Sequence, residues 1–180
     1  MHHLLGDFRE ILASTSIAYP DRPSVDDPRV RVPVGAEDNV QMLIRLPSRA
    51  AGIIEASKLA TGTEDELRFE IHGSKGALRF NTVAPHYLEA YDARASDQPL
   101  GGHRGWLKID AGQRYAKPAG FPGPKFGIGW IRPHMACLAQ FLTSVAEGTP
   151  ANPGLEQGIY VQRLIECART SARAQSWVQV

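Results

Sequence analysis

The sequence predicts an α+β fold: a mostly antiparallel open β-sheet with two main helices packed on one of its faces. Three observations carry this. First, residues 67–71 (Leu-Arg-Phe-Glu-Ile) and 77–80 (Ala-Leu-Arg-Phe) alternate apolar and polar side chains around a Gly-Ser-Lys-Gly turn at residues 73–76, which is a hairpin. Second, further alternating runs are joined by connections short enough for antiparallel strands and too short for parallel crossovers. Third, two apolar stripes at helical spacing stand near the end of the chain, each bounded by proline or glycine.

The elements follow in order. Residues 1–5 read as the tail of a helix, with Gly6 where a left-handed cap residue belongs, so the chain is expected to begin inside an element. Residues 9–19 place Ile11, Ala13, Ile17 and Tyr19 on one side, which suits a half-buried strand. Residues 20–35 hold four prolines and several charges and are expected to form a loop. Val40, Met42, Ile44 and Leu46 alternate with Gln41, Leu43 and Arg45 in a second strand that Pro47 ends. A turn at Ser48 and Arg49 leads to a third strand over residues 52–60, and residues 87–92 and 106–110 are further strands after the hairpin. Residues 111–130 contain Pro118, Pro122, Pro124 and five glycines, so neither a helix nor a central strand persists there. Pro133 suits the first turn of a helix carrying Met135, Leu138, Phe141, Leu142 and Val145 and stopping at Gly148. Asn152 and Pro153 read as the N-cap and first-turn proline of a second helix, with Leu155, Ile159, Leu164, Ile165 and Ala168 as its stripe and Arg169 and Arg173 near its negative pole. Residues 177–180 look like a last strand returning to the sheet, and residues 1–180 are expected to form a single domain.

Composition narrows the function. A formal charge of +1, from 20 basic and 19 acidic residues, gives no field that would gather nucleic acid or an anionic membrane. No apolar run reaches the ~20 residues of a membrane span, and the start lacks a basic segment followed by an apolar one. The expected location is cytoplasmic. Cys137 and Cys167 lie far apart in the two helical stretches and read as small buried residues of a reduced compartment. The six histidines form no i, i+4 pair and no zinc spacing, so no metal ligands are expected.

Candidate binding groups come from the late loop. Residues 120–130, Gly-Phe-Pro-Gly-Pro-Lys-Phe-Gly-Ile-Gly-Trp, lack both the Walker pattern and the dinucleotide fingerprint. Lys125, Trp130, Arg132 and His134 nevertheless gather at the approach to a helix, offering cationic donors and a flat apolar face suited to a polyhydroxylated or anionic small molecule. The structural alternative makes Trp130 a packing anchor, Arg132 a surface charge and His134 a first-turn residue. His103 and Arg104 carry the same two readings. Ser74 is read as a turn residue joining two strands, since the glycines beside it are not those of a nucleophile elbow.

The hairpin, Leu4-Leu5-Gly6, the strands at residues 8–16 and 38–46, Ala56-Ser57-Lys58, the helix end at residues 141–148 and the tail at residues 171–180 together resemble the C-terminal domain of the Gfo/Idh/MocA oxidoreductases. The resemblance implies a domain like the C-terminal domains of dihydrodipicolinate reductase and glyceraldehyde-3-phosphate dehydrogenase, whose open sheet face serves homodimer or tetramer contacts. It implies a sugar, polyol or derivative as small-molecule substrate, and NAD or NADP held by a separate Rossmann domain. The family's Glu-Lys-Pro and Asp-x-x-x-His motifs are absent: Lys117-Pro118 follows Ala116, and no aspartate has histidine four residues on. No catalytic and no cofactor-binding residues are therefore assigned, and the chain is expected to be the substrate-binding and oligomerisation part of a larger oxidoreductase, inactive alone. The competing expectation is a free-standing, non-catalytic dimerising or ligand-binding module.

Overall fold

A computed structural model of the chain describes residues 1–111, 116–120 and 129–180. In chain order the elements are α1 (His2–Leu5), β1 (Glu10–Ser16), β2 (Asp21–Pro23), β3 (Arg31–Pro33), β4 (Asn39–Arg45), β5 (Ala51–Ser57), β6 (Arg68–Gly73), β7 (Gly76–Asn81), β8 (Tyr87–Asp92) and β9 (Trp106–Asp110), followed by α2 (Ile131–Glu147), α3 (Leu155–Ala174) and β10 (Val178–Gln179). The fold class is α+β with mostly antiparallel sheets and two main helices, as expected. Where one sheet was expected there are two of four strands each, and the chain falls into two compact units, Met1–Thr61 with Pro153–Val180, and Gly62–Asn152.

The first unit orders its strands β10-β1-β4-β5, every pair antiparallel. The register puts Ile11, Ile44 and Gly52 in one cross-strand row and Ala13, Met42 and Ile54 in the next, all on the face that α3 covers. Phe8, Ile11, Ala13, Ile44, Leu46 and Ala168 form the buried core there. The alternate residues Leu12, Leu43 and Ile53 line up on the opposite, open face, where Leu43 and Ile53 stay 44% and 78% exposed. Residues 20–35 are more than a loop: β2 and β3 pair into a short hairpin, with Pro23 and Pro33 at strand ends where a missing N–H costs little. The cap of α3 is also displaced from the expected Asn152. Gly154 is the N-cap, and Gln157 Oε1 accepts from its N–H at 2.7 Å.

The second unit is the meander β6-β7-β8-β9 and α2. Gly76 makes the hairpin possible, because a Cβ there would stand 2.1 Å from the Tyr91 carbonyl oxygen at a φ of +159°. The register separates the two faces cleanly. Phe69, Phe80, Leu88 and Ile109 form one row and Ile71, Leu78, Ala90 and Leu107 the next on the same face, while Glu70, Arg79, Glu89 and Lys108 form a row on the other. Among the described residues α2 makes no extended packing against this sheet, and its Leu138, Phe141, Leu142 and Val145 are each more than half exposed. It ends at Gly148 in the left-handed conformation, φ 64°, as the sequence pattern requires.

Candidate functional site

The chain enters α2 through Gly129, φ 54°, and Trp130 as N-cap, with no side-chain cap on the free backbone N–H groups. Residues four apart lie on the same side of a helix, so Trp130 and His134 meet, their ring centroids 5.3 Å apart and edge to face. Trp130 is 72% exposed and His134 is exposed. Arg132 lies two residues from each, about 200° around the helix, and is turned inward at 2% exposure. Of the four expected contacts, then, Trp130 and His134 come together on the surface, Arg132 is buried behind them, and Lys125 lies outside the described residues. The exposed indole beside an imidazole offers a flat apolar face with a hydrogen-bonding group at its edge, the combination that holds one face of a sugar ring. Arg104 is braced within its own loop by the Ala95 carbonyl at 3.1 Å and Asp97 at 3.3 Å.

A groove of about 420 Å³ lies beside α3 in the first unit. Val40, Met42, Ile54 and Ala56 floor it, and Val161, Leu164 and Ile165 of α3 form a wall. Charged groups stand at one end. Asp38, 4% exposed, accepts from the Ala18 N–H at 3.0 Å, the Tyr19 N–H at 3.3 Å and Arg22 Nη2 at 2.9 Å, which ties the β2–β3 hairpin to the sheet. Beside it Arg169 bonds Glu37 at 3.1 Å and Glu166 at 3.3 Å. Backbone and Arg169 hydrogen bonds hold the Glu37 carboxyl below its ordinary range.

Two more polar nodes anchor the first unit. Glu10 accepts from Arg45 at 2.8 Å, Arg9 at 2.8 Å and Gln179 at 2.8 Å, and these bonds, Arg45 first, lower its carboxyl from the ordinary 4.5 to about 2. Trp177 stacks over the Arg45 guanidinium at 4.1 Å. At the entry to β1, the His2 ring lies 4.2 Å from that of Tyr160, whose hydroxyl accepts from the Phe8 N–H at 2.6 Å, and burial pushes the Tyr160 phenol up. Sequence reading passed over Asp38, Glu10 and Tyr160, which belong to no motif; Glu10 stands on the strand face opposite Ile11, so strand alternation does not mark it either.

In the second unit the polar sheet face is self-satisfied. Arg79 pairs with Glu89 and lies 4.2 Å from the Trp106 ring, and Lys108 stands 3.9 Å from Glu89 and 5.6 Å from the Tyr87 ring. Cations thus already occupy aromatic surfaces a ligand would need. Cys137 and Cys167 are both free, and Cys137 is exposed, contrary to the expected burial.

Every strand pair among the described residues is antiparallel, so they contain no parallel strand–turn–helix unit of the kind that seats a dinucleotide. Among the described residues no three of His, Cys, Asp or Glu converge as metal ligands, and no helix is long and apolar enough to cross a membrane.

The family described as "Oxidoreductase family, C-terminal alpha/beta domain" matches residues 1–180. Levoglucosan dehydrogenase of Pseudarthrobacter phenanthrenivorans is 30% identical over 99% of this chain and 48% of its own length. The structure of levoglucosan dehydrogenase in complex with NADH and levoglucosan superposes with a TM-score of 0.85 at 31% identity, over 99% of this chain and 46% of that one. An NAD binding oxidoreductase from Klebsiella pneumoniae gives a TM-score of 0.88 at 28% identity, over 99% of this chain and 47% of the other. The chain spans about half the length of the curated relatives it matches.

Proposed function

The chain belongs to the Gfo/Idh/MocA oxidoreductase family, as its C-terminal alpha/beta domain, and on that footing we propose that it is the substrate-side and oligomerisation domain of a NAD(P)-dependent dehydrogenase of a sugar, polyol or derivative. The observation that carries this reading is the likeness along 99% of the chain to a levoglucosan dehydrogenase whose structure holds NADH and levoglucosan. The nicotinamide cofactor and the group that takes the alcohol proton belong, in this reading, to a Rossmann domain outside this chain, which alone neither binds the cofactor nor turns substrate over. A cytoplasmic site of action, where NAD(P) is plentiful, goes with it.

Trp130 and His134 form one wall of the substrate pocket, the indole against the apolar face of the sugar and the imidazole toward its hydroxyls. Lys125 is the further cationic contact, and Arg132, buried one half-turn away, holds the start of α2 in place. Self-association uses open sheet faces. The first unit offers the row Leu12, Leu43 and Ile53, and the second the apolar face around Leu78, Leu107 and Ile109, which are 41%, 56% and 38% exposed.

The test uses the protein with and without its companion domain. Titrating residues 1–180 with NADH should give no saturable fluorescence change. In the longer protein, assayed by NAD(P)H absorbance with levoglucosan as first probe, Trp130→Ala or His134→Ala should raise KM or lower kcat with little change in melting temperature. Saturable micromolar NADH binding by residues 1–180, or unchanged turnover with a melting temperature lowered by several degrees, would sink the reading.

A further inference from the structure

The β2–β3 hairpin is a part of the first unit that burial does not hold. Every residue of its two strands is exposed, and Val25, Val30 and Val32 stand open at 100%, 50% and 40%. Among the described residues neither strand packs extensively on any element but the other. A two-stranded hairpin by itself is marginal in water. Polar bonds must therefore decide where this one sits.

The hairpin is first closed on itself, since the Ser24 N–H donates to the Val30 carbonyl at 2.8 Å and the Val34 N–H to the Pro20 carbonyl at 2.8 Å. Both of its legs are then clipped to the rest of the unit. Asp38 holds the outgoing leg through Ala18, Tyr19 and Arg22, and Arg169 of α3 holds the returning leg through Glu37. The two clips are unequal. The Asp38 side chain is 3% exposed, and its main chain belongs to the sheet: its N–H donates to the Ser16 carbonyl and its carbonyl accepts from the Lys58 N–H, both at 2.9 Å. Its bonds to the hairpin are made by a buried carboxylate and are correspondingly strong. The Arg169–Glu37 pair is 46% and 31% exposed, and such pairs contribute little. On the returning leg Gly35 has open space where a Cβ would stand, so the chain can turn there.

We propose that β2–β3 is a hinged strap with Asp38 as its latch: residues 17–34 open away from the sheet as one unit, the sheet staying folded, and the Asp38 carboxylate sets how often they do. The device invokes neither cofactor nor substrate, so it does not rest on the dehydrogenase reading.

Hydrogen exchange read by mass spectrometry tests it, with the peptides of β4 and β5 as standards inside the same molecule. In the native chain residues 17–34 should exchange about tenfold or more faster than β4 and β5, as a separately opening unit does. Asp38→Asn loses the charge and one acceptor, and should speed residues 17–34 by about a further tenfold while β4 and β5 change by less than about twofold. Arg169→Gln should speed the strap by less than about threefold. A merely structural Asp38 would speed strap and sheet together, and that result overturns the latch. So does an unchanged strap in Asp38→Asn, or an equal rise in Arg169→Gln. If Asp38→Asn does not fold, Arg22→Gln removes the side-chain bond from the half-exposed partner and should speed the strap alone by about threefold. No change there, or a change shared with β4 and β5, overturns the proposal equally.

Discussion

The two four-stranded sheets have similar alternation along their strands and opposite fates. In β10-β1-β4-β5 the apolar rows meet α3, and Ile11 falls to 1% exposure and Ile44 to 3%. In β6-β7-β8-β9 the apolar rows meet no helix among the described residues, and Leu107 stays at 56%. What separates them is the partner rather than the strand: alternation makes a face that can be buried, and only a second layer buries it. Their polar faces differ as well. Glu10 gathers Arg9, Arg45 and Gln179 into one node, whereas Glu70, Arg79, Glu89 and Lys108 spread along a ladder open to water.

The strongest way to break the contrast is to make the same kind of cut in both sheets. Ile11→Ala should cost about 2–4 kcal/mol, from lost burial and the cavity left under α3, while Leu107→Ala should cost about 1 kcal/mol or less in the isolated chain, since half of that side chain already faces water. Urea unfolding of the two variants decides it; similar losses would mean that the second sheet is covered after all. Next in size is Ser171, fully buried, whose Oγ accepts from the Ala13 N–H at 2.9 Å and donates to the Ser176 carbonyl at 2.6 Å. Ser171→Ala strands a buried N–H and a carbonyl and should cost about 1–3 kcal/mol in the same assay, against no measurable change if the bonds carried no stability.

The smallest expected effect is a pH dependence confined to the first sheet. The Glu10 carboxyl is lowered in the folded chain to about 2 from the ordinary 4.5, so the folded state binds fewer protons than the unfolded one between those values. Its stabilisation is present above the unfolded value and drains away as pH falls from about 4.5 to about 2. Stability measured across that window should fall more steeply for the native chain than for Glu10→Gln, and parallel curves would remove Glu10 from the acid response.

Much of the fold was legible because it is written in neighbouring residues. The strands at residues 87–92 and 106–110, the hairpin turn at residues 73–76 and the helix stop at Gly148 all appear as the sequence indicates, since period-two alternation and glycine conformation act locally. The β2–β3 hairpin was hidden by its prolines, and it exists because Asp38, well beyond its own end, clamps Ala18, Tyr19 and Arg22. The candidate site was half legible. Four-residue spacing pairs Trp130 with His134, but the same helical geometry that unites them turns Arg132 inward.

By itself, then, the sequence determined the elements other than the β2–β3 hairpin, their antiparallel joining and the family, because each rests on interactions between residues close along the chain or on a pattern held over its whole length. The division into two sheets, the burial of Ile11 and Ser171, the inward turn of Arg132 and the open slot beside α3 were decided only by the tertiary structure. Burial depends on which surfaces meet across long stretches of chain, and an apolar residue carries no mark of which partner, if any, will cover it.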